Sequence, residues 1–409
     1  MAFCAMLSYP LLASKLIFEG INPGQLFEMS RLSKRMEKKI RDSGMRCKKH
    51  NVSFTNQPGF CLNFTEDRKL EVLFNLPFPR TVTIRSGRFK DLYFSYAMIS
   101  EDKMYVNPGH TSVFSGLYHF YDYIAGIFST KLIGQLDVDV DKIKNLIGLL
   151  AIPEFSHCET LQLIGAEMED EDAKYIQENC EIRDTLILNG RVGGREQNWK
   201  MLEVKNLVVK SNDWINLNDL ILMKCQNVFI DDSKINAEDL IKFVTSWKEG
   251  YSNNRLKTLQ VKFKGEPAFT KFKPTPIPKL PEDPVIPPAA IDGDSSDSDD
   301  SGEEGVPFPV PMRAVDVEEV IEKNDNILAG KELKTPWKAL ERKKIDFGKH
   351  GKAFYRGEPT FSRHCGEPDT YEIDSFSRNV EKFDSTLASI YIRDQTFRML
   401  VWHQFEIPP

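Results

Sequence analysis

The chain has 409 residues, of which 41% are apolar and 28% charged, and its formal net charge at pH 7 is −6. This composition excludes a wholly disordered chain and allows two or three domains with a sizeable core. Seven cysteines, an odd number without CxxC spacing, indicate reduced thiols in an intracellular protein. We therefore expect the cytosol or the nucleus, without a signal peptide or a membrane span.

Residues 8–44 are predicted to form a compact unit of short helices. Leu11, Leu12, Leu16 and Ile17 make one apolar face, and Pro23 is placed to begin a second helix. A unit of about forty residues is marginal as an independent fold, so much of this apolar surface should meet a partner chain or the next domain.

A basic stretch over residues 34–50 follows this helical unit. It lacks the interleaved aromatic residues of a nucleic-acid stacking surface, so a solvated helix end is favoured and nucleic-acid binding is not expected. Residues 60–128 alternate between apolar runs and glycine or proline breaks, which predicts strands and turns leading into an amphipathic helix.

Six apolar strand cores come next. They are Leu136 to Val138, Leu161 to Ile164, Leu186 to Leu188, Leu207 to Val209, Val228 to Ile230 and Leu259 to Val261. Helices fit most intervals between them, and Asn236 is the predicted N-cap of the most regular helix. Strand starts roughly 20 to 30 residues apart predict an α/β solenoid of the leucine-rich-repeat kind. An ordinary open α/β sheet would satisfy the same pattern, but we favour the solenoid.

The composition changes after Phe263. Residues 264–310 are first rich in proline and then in acidic residues and serine, which predicts a disordered linker. Residues 311–370 have no clear assignment. Residues 371–409 contain two apolar runs around a polar turn at Arg393 to Thr396, which predicts a β-hairpin that completes the domain formed by residues 60–263.

Catalytic motifs are not evident in the sequence. The P-loop, dinucleotide-binding, GxSxG and HExxH patterns do not occur, and two His-Cys neighbours lack further ligands at usable spacing. We therefore expect neither an enzyme nor a metal site or cofactor.

Two stretches carry the motifs of one protein family. The first contains Pro10-Leu11, Leu16-Ile17, Ile21-Asn22-Pro23, Gln25-Leu26, Met29-Ser30 and Leu32-Ser33-Lys34-Arg35, and the second contains Leu220, Ile221, Cys225, Asn227, Glu238, Asp239, Leu240, Phe243 and Trp247. The first, residues 8–44, resembles an F-box. The second resembles the nematode F-box-associated domain of the second type. Their order along the chain is that of the family.

This resemblance implies a substrate-recruiting subunit of a cullin-type ubiquitin ligase. The F-box would dock on the S-phase-kinase-associated adaptor, and the C-terminal region would hold a protein substrate. The implied adaptor-binding residues are Pro10, Leu11, Leu16, Ile17, Ile21, Pro23, Leu26, Met29 and Leu32. Two alternatives remain open. In the first, Leu11, Ile17, Leu26 and Leu32 simply pack on the solenoid. In the second, the protein is a repeat-type interaction scaffold without ligase function.

Substrate contacts are predicted on the strands of the solenoid. Outward residues of parallel strands have no evident duty in the core, so they are free to vary with the partner. The candidates are Gln162, Lys210, Asp231, Gln260 and Lys262. Their mixed charges indicate a protein partner, because a nucleic-acid groove should be consistently basic.

Overall fold

The computed structural model describes eleven segments of the chain. They are residues 9–89, 92–129, 132–192, 203–210, 214–263, 353–356, 359–366, 370–373, 378–381, 386–393 and 396–402. The linker predicted at 264–310, and the first part of the unassigned interval 311–370, lie outside the described residues. None of the helices in these segments is both long and apolar enough to cross a membrane.

Three short helices begin the described chain. They are α1 (Leu11–Glu19), α2 (Pro23–Ser30) and α3 (Lys34–Asp42). The Asn22 side chain accepts a hydrogen bond from the Gly24 amide at 2.9 Å, with proline at the first helical position. Ser33 caps α3 in the same way, accepting from the Met36 amide at 3.1 Å. Local sequence therefore sets where α2 and α3 begin.

Six strands and a long helix follow. They are β1 (Lys49–Phe54), β2 (Gly59–Asn63), β3 (Lys69–Phe74), β4 (Arg85–Phe89), β5 (Leu92–Ser100), β6 (Lys103–Asn107) and α4 (Val113–Phe128). Strand β1 was not predicted and precedes residue 60, where the predicted domain starts. It nevertheless lies inside the sheet, between β2 and β7.

The next part alternates strands and helices. Its elements are β7 (Ile133–Asp139), α5 (Leu146–Leu150), β8 (His157–Met168), α6 (Asp170–Asn179), β9 (Glu181–Val192), β10 (Asn206–Lys210), α7 (Leu217–Leu222), β11 (Asn227–Ser233), α8 (Ala237–Lys248) and β12 (Thr258–Phe263). Each of the six predicted strand cores lies within one of these strands. Asn236 caps α8 as predicted, accepting from the Asp239 amide at 3.0 Å.

The C-terminal elements include a hairpin and a smaller unit. They are β13 (Ala353–Arg356), α9 (Pro359–Cys365), β14 (Thr370–Ile373), β15 (Arg378–Glu381), β16 (Leu387–Arg393) and β17 (Thr396–Trp402). Strands β16 and β17 pair antiparallel, as their apolar runs predict, and β17 extends the sheet beside β12. Strands β13 and β14 pair only with each other among the described strands, and α9 lies between them in sequence.

Fifteen of the described strands form one mixed sheet. Its order is β15-β16-β17-β12-β11-β10-β9-β8-β7-β1-β2-β3-β6-β5-β4. The six strands from β7 to β12 are parallel neighbours in chain order. The antiparallel strands on either side extend this parallel part, so the six predicted strands form the middle of a wider mixed sheet.

The two faces of the parallel strands differ. One face is a row of buried aliphatic side chains in register: Leu136, Leu161, Leu186, Leu207, Val228 and Leu259. These residues share a single core with buried residues of α1 to α8. The opposite face carries none of the helices α1 to α8, and in this sense we call it the helix-free face. The short helix α9 lies on part of it.

Candidate protein-interaction surfaces

An apolar patch is exposed on the N-terminal helices. Its members, with their exposed fractions, are Tyr9 (43%), Leu11 (48%), Leu12 (72%), Leu16 (65%) and Leu32 (62%). We call it the α1 patch. Leu12 and Leu16 lie one helical turn apart on α1. Large apolar side chains that are exposed side by side mark a site of protein–protein contact, whereas single exposed ones are ordinary.

The opposite sides of these helices are fixed in the core. Phe18 and Phe27 are almost fully buried, and the Phe27 ring lies 5.6 Å from Tyr96 and 5.9 Å from Phe120 between ring centroids. Burying aromatic rings of this size supplies a large hydrophobic contribution. The α1 patch is thus presented by helices that are anchored on the sheet domain.

Polar contacts also hold the helices in place. The Arg68 guanidinium donates to the backbone carbonyls of Phe18 and Ile21, near the end of α1. The Arg31 guanidinium stacks 4.2 Å from the Phe89 ring centroid, a cation–π contact. Both arginines tie the N-terminal helices to strands of the sheet, so the patch has a fixed orientation.

The nine predicted adaptor-binding residues divide into three groups. The exposed residues are Pro10, Leu11, Leu16 and Leu32; the half-buried residues are Ile17 and Ile21; the buried residues are Pro23, Leu26 and Met29. The last group packs within the protein. The alternative interpretation expected such packing for Leu11, Ile17, Leu26 and Leu32, and of these only Leu26 is buried. Leu12, the most exposed member of the patch, belongs to the predicted apolar face but was not among the predicted contacts.

The helix-free face carries one continuous row of side chains in register. From β1 to β17 its members are Ser53, Asp137, Gln162, Ile187, Val208, Phe229, Gln260 and Arg398. The row is polar at both ends and apolar at its centre. We call its three central residues, Ile187, Val208 and Phe229, the β9–β11 patch.

Helix α9 covers the β9–β11 patch. Phe361 is 2% exposed and forms a small cluster with the three patch residues, separate from the main core, and Cys365 packs against this cluster. The patch is therefore occupied by a segment that follows β12 in the sequence by about 100 residues.

The five predicted substrate-binding residues lie on the helix-free face. Gln162, Lys210, Asp231 and Lys262 are half-buried, and the Lys262 ammonium lies 5.0 Å from the Phe229 ring centroid. Gln260 differs from the expectation, because it is only 1% exposed. Its side-chain oxygen accepts a hydrogen bond from Arg398 Nε at 2.7 Å, because Arg398 is its register partner on the adjacent strand β17.

Burial shifts the pKa values of two side chains on this face. Burial lowers the pKa of His364 on α9, and the nearby Lys210 ammonium lowers it further, while Asp184 opposes the shift. At the far end of the row, burial raises the pKa of Asp137, although a hydrogen bond from Gln135 counters this. Both shifts make the charged form of the side chain less favourable than it is in water.

Cysteine and metal chemistry find no support in the described segments. Burial raises the pKa values of Cys47 and Cys158 to about 12 and that of Cys180 to about 11, so their reactive thiolate forms are suppressed. No three histidine, cysteine or acidic residues of those segments come together to hold a metal ion.

A short sequence repeat covers the beginnings of α7 and α8, and our sequence analysis missed it. Residues 215–221 read INLNDLI and residues 235–241 read INAEDLI. In each copy the asparagine caps a helix, and the aspartate three residues later accepts a hydrogen bond from the backbone amide of that asparagine. This reciprocal capping explains the shared pattern, and self-comparison of the sequence would have revealed it.

Comparison with known families gives a match in this part of the chain. A family model described as F-box associated matches residues 196–261. This match includes β10 to most of β12, and with them Val208 and Phe229 of the β9–β11 patch. Neither the curated proteins nor the solved structures give a significant match to the chain.

Proposed function

We propose that this protein recruits a protein substrate to a cullin-type ubiquitin ligase. The observation that carries the proposal is the F-box-associated match at residues 196–261, in a chain whose N-terminal helices present the α1 patch. A recruiting subunit needs two separate surfaces, one for the ligase and one for the substrate. The α1 patch and the helix-free face are candidates for these two roles.

The adaptor side is assigned to the α1 patch. The S-phase-kinase-associated adaptor would cover Leu11, Leu16 and Leu32, together with Leu12, which is the most exposed of them. Interface energy concentrates in a few apolar or aromatic side chains that become fully desolvated. The predicted contacts Pro23, Leu26 and Met29 would act indirectly in this scheme, because their side chains hold the helices in the core.

The substrate side is assigned to the helix-free face of β7 to β12. Chain-order parallel strands with helices on one side support the repeat-type arrangement expected from the sequence. Gln162, Lys210, Asp231 and Lys262 would then flank the bound substrate, and Gln260 would fix Arg398 beside them. We assign no catalytic step to this chain, because a recruiting subunit acts by binding alone.

A double substitution tests the adaptor assignment. We expect Leu12→Glu with Leu16→Glu to weaken binding of the purified adaptor about a hundred-fold or more, because each removes an apolar contact and places a charge in the interface. The melting temperature should change little, since both side chains are exposed. Calorimetric titration of the full chain measures the affinity.

The matched control is Tyr251→Glu, which changes an exposed apolar residue just after α8. This variant should bind the adaptor as the unmodified chain does. Equal affinity for all three chains would remove the α1 patch from the interface. Failure of the folded, unmodified chain to bind the adaptor would instead favour the scaffold without ligase function.

A further inference from the structure

The β9–β11 patch is an apolar site within a polar row. Ile187, Val208 and Phe229 each lie at most 2% exposed beneath α9, whereas their neighbours in the row are Gln162 and Gln260. Without a cover, three large apolar side chains on adjacent strands would face water. The patch thus requires an occupant with an apolar side chain of its own.

The present occupant is small. Helix α9 has seven residues, and its apolar contacts with the patch come from Phe361 and Cys365. A helix of this length is not stable alone in water, so its helical form depends on the surface below it. Its flanking strands pair with each other and belong to a different sheet. Docking of α9 therefore does not require β13 or β14 to join the main sheet.

The fit between α9 and the face is incomplete. The Ser362 hydroxyl is buried and has no hydrogen-bond partner among the described residues, and such a group disfavours the docked state. Next to it, His364 lies in the field of Lys210, so its charged form is disfavoured as well. The unpaired hydroxyl opposes docking at any pH, and His364 opposes it at acidic pH, whereas Phe361 favours it.

We propose that the β9–β11 patch is a docking site for a short helical peptide with an aromatic side chain, and that α9 is a built-in occupant which a substrate segment must displace. This inference rests on the proposed function, because it takes the helix-free face as the substrate surface. It adds the chemical class of the ligand: an amphipathic segment that places its aromatic ring where Phe361 now lies.

Displacement of α9 depends on how strongly this tethered segment competes with a free peptide for the patch. A tethered segment competes with a free ligand at an effective concentration of up to about millimolar. A substrate segment must therefore either bind the patch more tightly than α9 or be held nearby by further contacts. Weakening α9 should raise the apparent affinity of any peptide that uses the same site.

Peptide binding to the full chain tests this proposal. The probe is a fluorescein-labelled peptide of residues 359–366 with Cys365→Ser, and anisotropy measures its binding. We expect the Phe361→Ala chain to bind it at least about ten-fold more tightly than the unmodified chain, because the substitution weakens the internal competitor. The same peptide with Phe361→Ala should bind neither chain.

Two controls define the site. The Arg363→Ala chain changes an exposed residue of α9 and should behave like the unmodified chain. A benzophenone photo-crosslinker at peptide position 361 should label β9, β10 or β11 of the Phe361→Ala chain. Absence of peptide binding by this chain, with its circular dichroism and melting temperature retained, would overturn the proposal, and so would crosslinking elsewhere.

The result is independent of the adaptor. The peptide assay contains neither adaptor nor cullin, so its failure would leave the assignment of the α1 patch intact and make α9 a permanent cover of the sheet. Conversely, peptide binding by a chain that does not bind the adaptor would support the docking site and contradict the proposed role in a ubiquitin ligase.

Discussion

At the residue scale, a row of buried polar side chains in the parallel strands forms hydrogen bonds from strand to strand. Asn227 Nδ2 donates to Asn206 Oδ1 at 2.8 Å, and Asn206 Nδ2 donates to Thr185 Oγ1 at 3.2 Å. These residues share one register position, which is the first residue of β10 and of β11 and lies within β9. Such a ladder removes the cost of burying amides and fixes the register of the parallel strands.

His50 is a second buried polar group. Its Nε2 lies 2.7 Å from Tyr121 Oη in a hydrogen bond between β1 and α4, and burial lowers the pKa of His50 from 6.5 to about 4. The folded protein thus holds this imidazole neutral, whereas the unfolded chain protonates it below pH 6.5. Its contribution to stability is complete above pH 6.5 and is lost as the pH falls towards 4.

A pH series tests this assignment. Between pH 7.5 and 5.0 the free energy of unfolding of the wild type should fall by about 2 kcal/mol more than that of His50→Gln, because only the wild type has this titrating group. Urea unfolding at each pH measures both values, and taking the difference cancels other titrating groups. Parallel pH curves for the two chains would show that His50 is not held neutral.

At the scale of elements, local signals predicted some boundaries well. Asn236 and the apolar stripe of α8 lie close together in the sequence, so both the cap and the buried face could be predicted. Strand β1 was missed because its six residues alternate only briefly, and its place depends on pairing with β7. Helix α9 was missed because it has seven residues and is held by distant side chains.

Docking of α9 should depend on pH. Burial and Lys210 lower the pKa of His364; Arg363 and Lys49 act in the same direction, and Asp184 acts against them. The docked state therefore binds fewer protons than the undocked state at acidic pH. Docking should be strongest above pH 6.5 and should weaken as the pH falls below it.

Alkylation of Cys365 by a maleimide reports this change. Cys365 packs against the covered patch, so its modification should become faster when α9 leaves the sheet. We expect the ratio of its rate in the wild type to that in His364→Gln to rise from pH 7.5 to 5.5, since the ratio cancels the intrinsic chemistry of the thiol. Site-resolved mass spectrometry separates Cys365 from the other cysteines. A ratio that is constant with pH would mean that His364 does not oppose docking.

At the scale of the whole molecule, the sequence predicted the parallel centre of the sheet but not its extent. The aliphatic runs from β7 to β12 are visible one by one because these strands are buried on the helix-bearing face. Their continuation through β1 into β2 to β6, and through β17 on the other side, depends on long-range pairing. Hydrophobic periodicity carries no information about which distant strands become neighbours.

The sequence predicted exposed residues of the α1 patch but not the cover of the helix-free face, because that cover depends on contacts between distant parts of the chain. The members of the α1 patch that lie on α1 follow from spacing within that helix, although the sequence alone could not separate exposed Leu16 from buried Leu26. The helix-free face follows from strand alternation. Its cover by α9 could not be anticipated, because that contact joins residues about 150 positions apart.

Hydrogen exchange of the full chain, measured with and without the purified adaptor, tests whether the adaptor binds the α1 patch. We expect slower exchange in residues 9–32, where the α1 patch lies, and unchanged exchange in β9 to β11. Backbone amides exchange more slowly where a partner stabilises the structure around them. Protection confined to β9 to β11, or no protection at saturating adaptor, would contradict the assignment of the α1 patch as the ligase-docking surface.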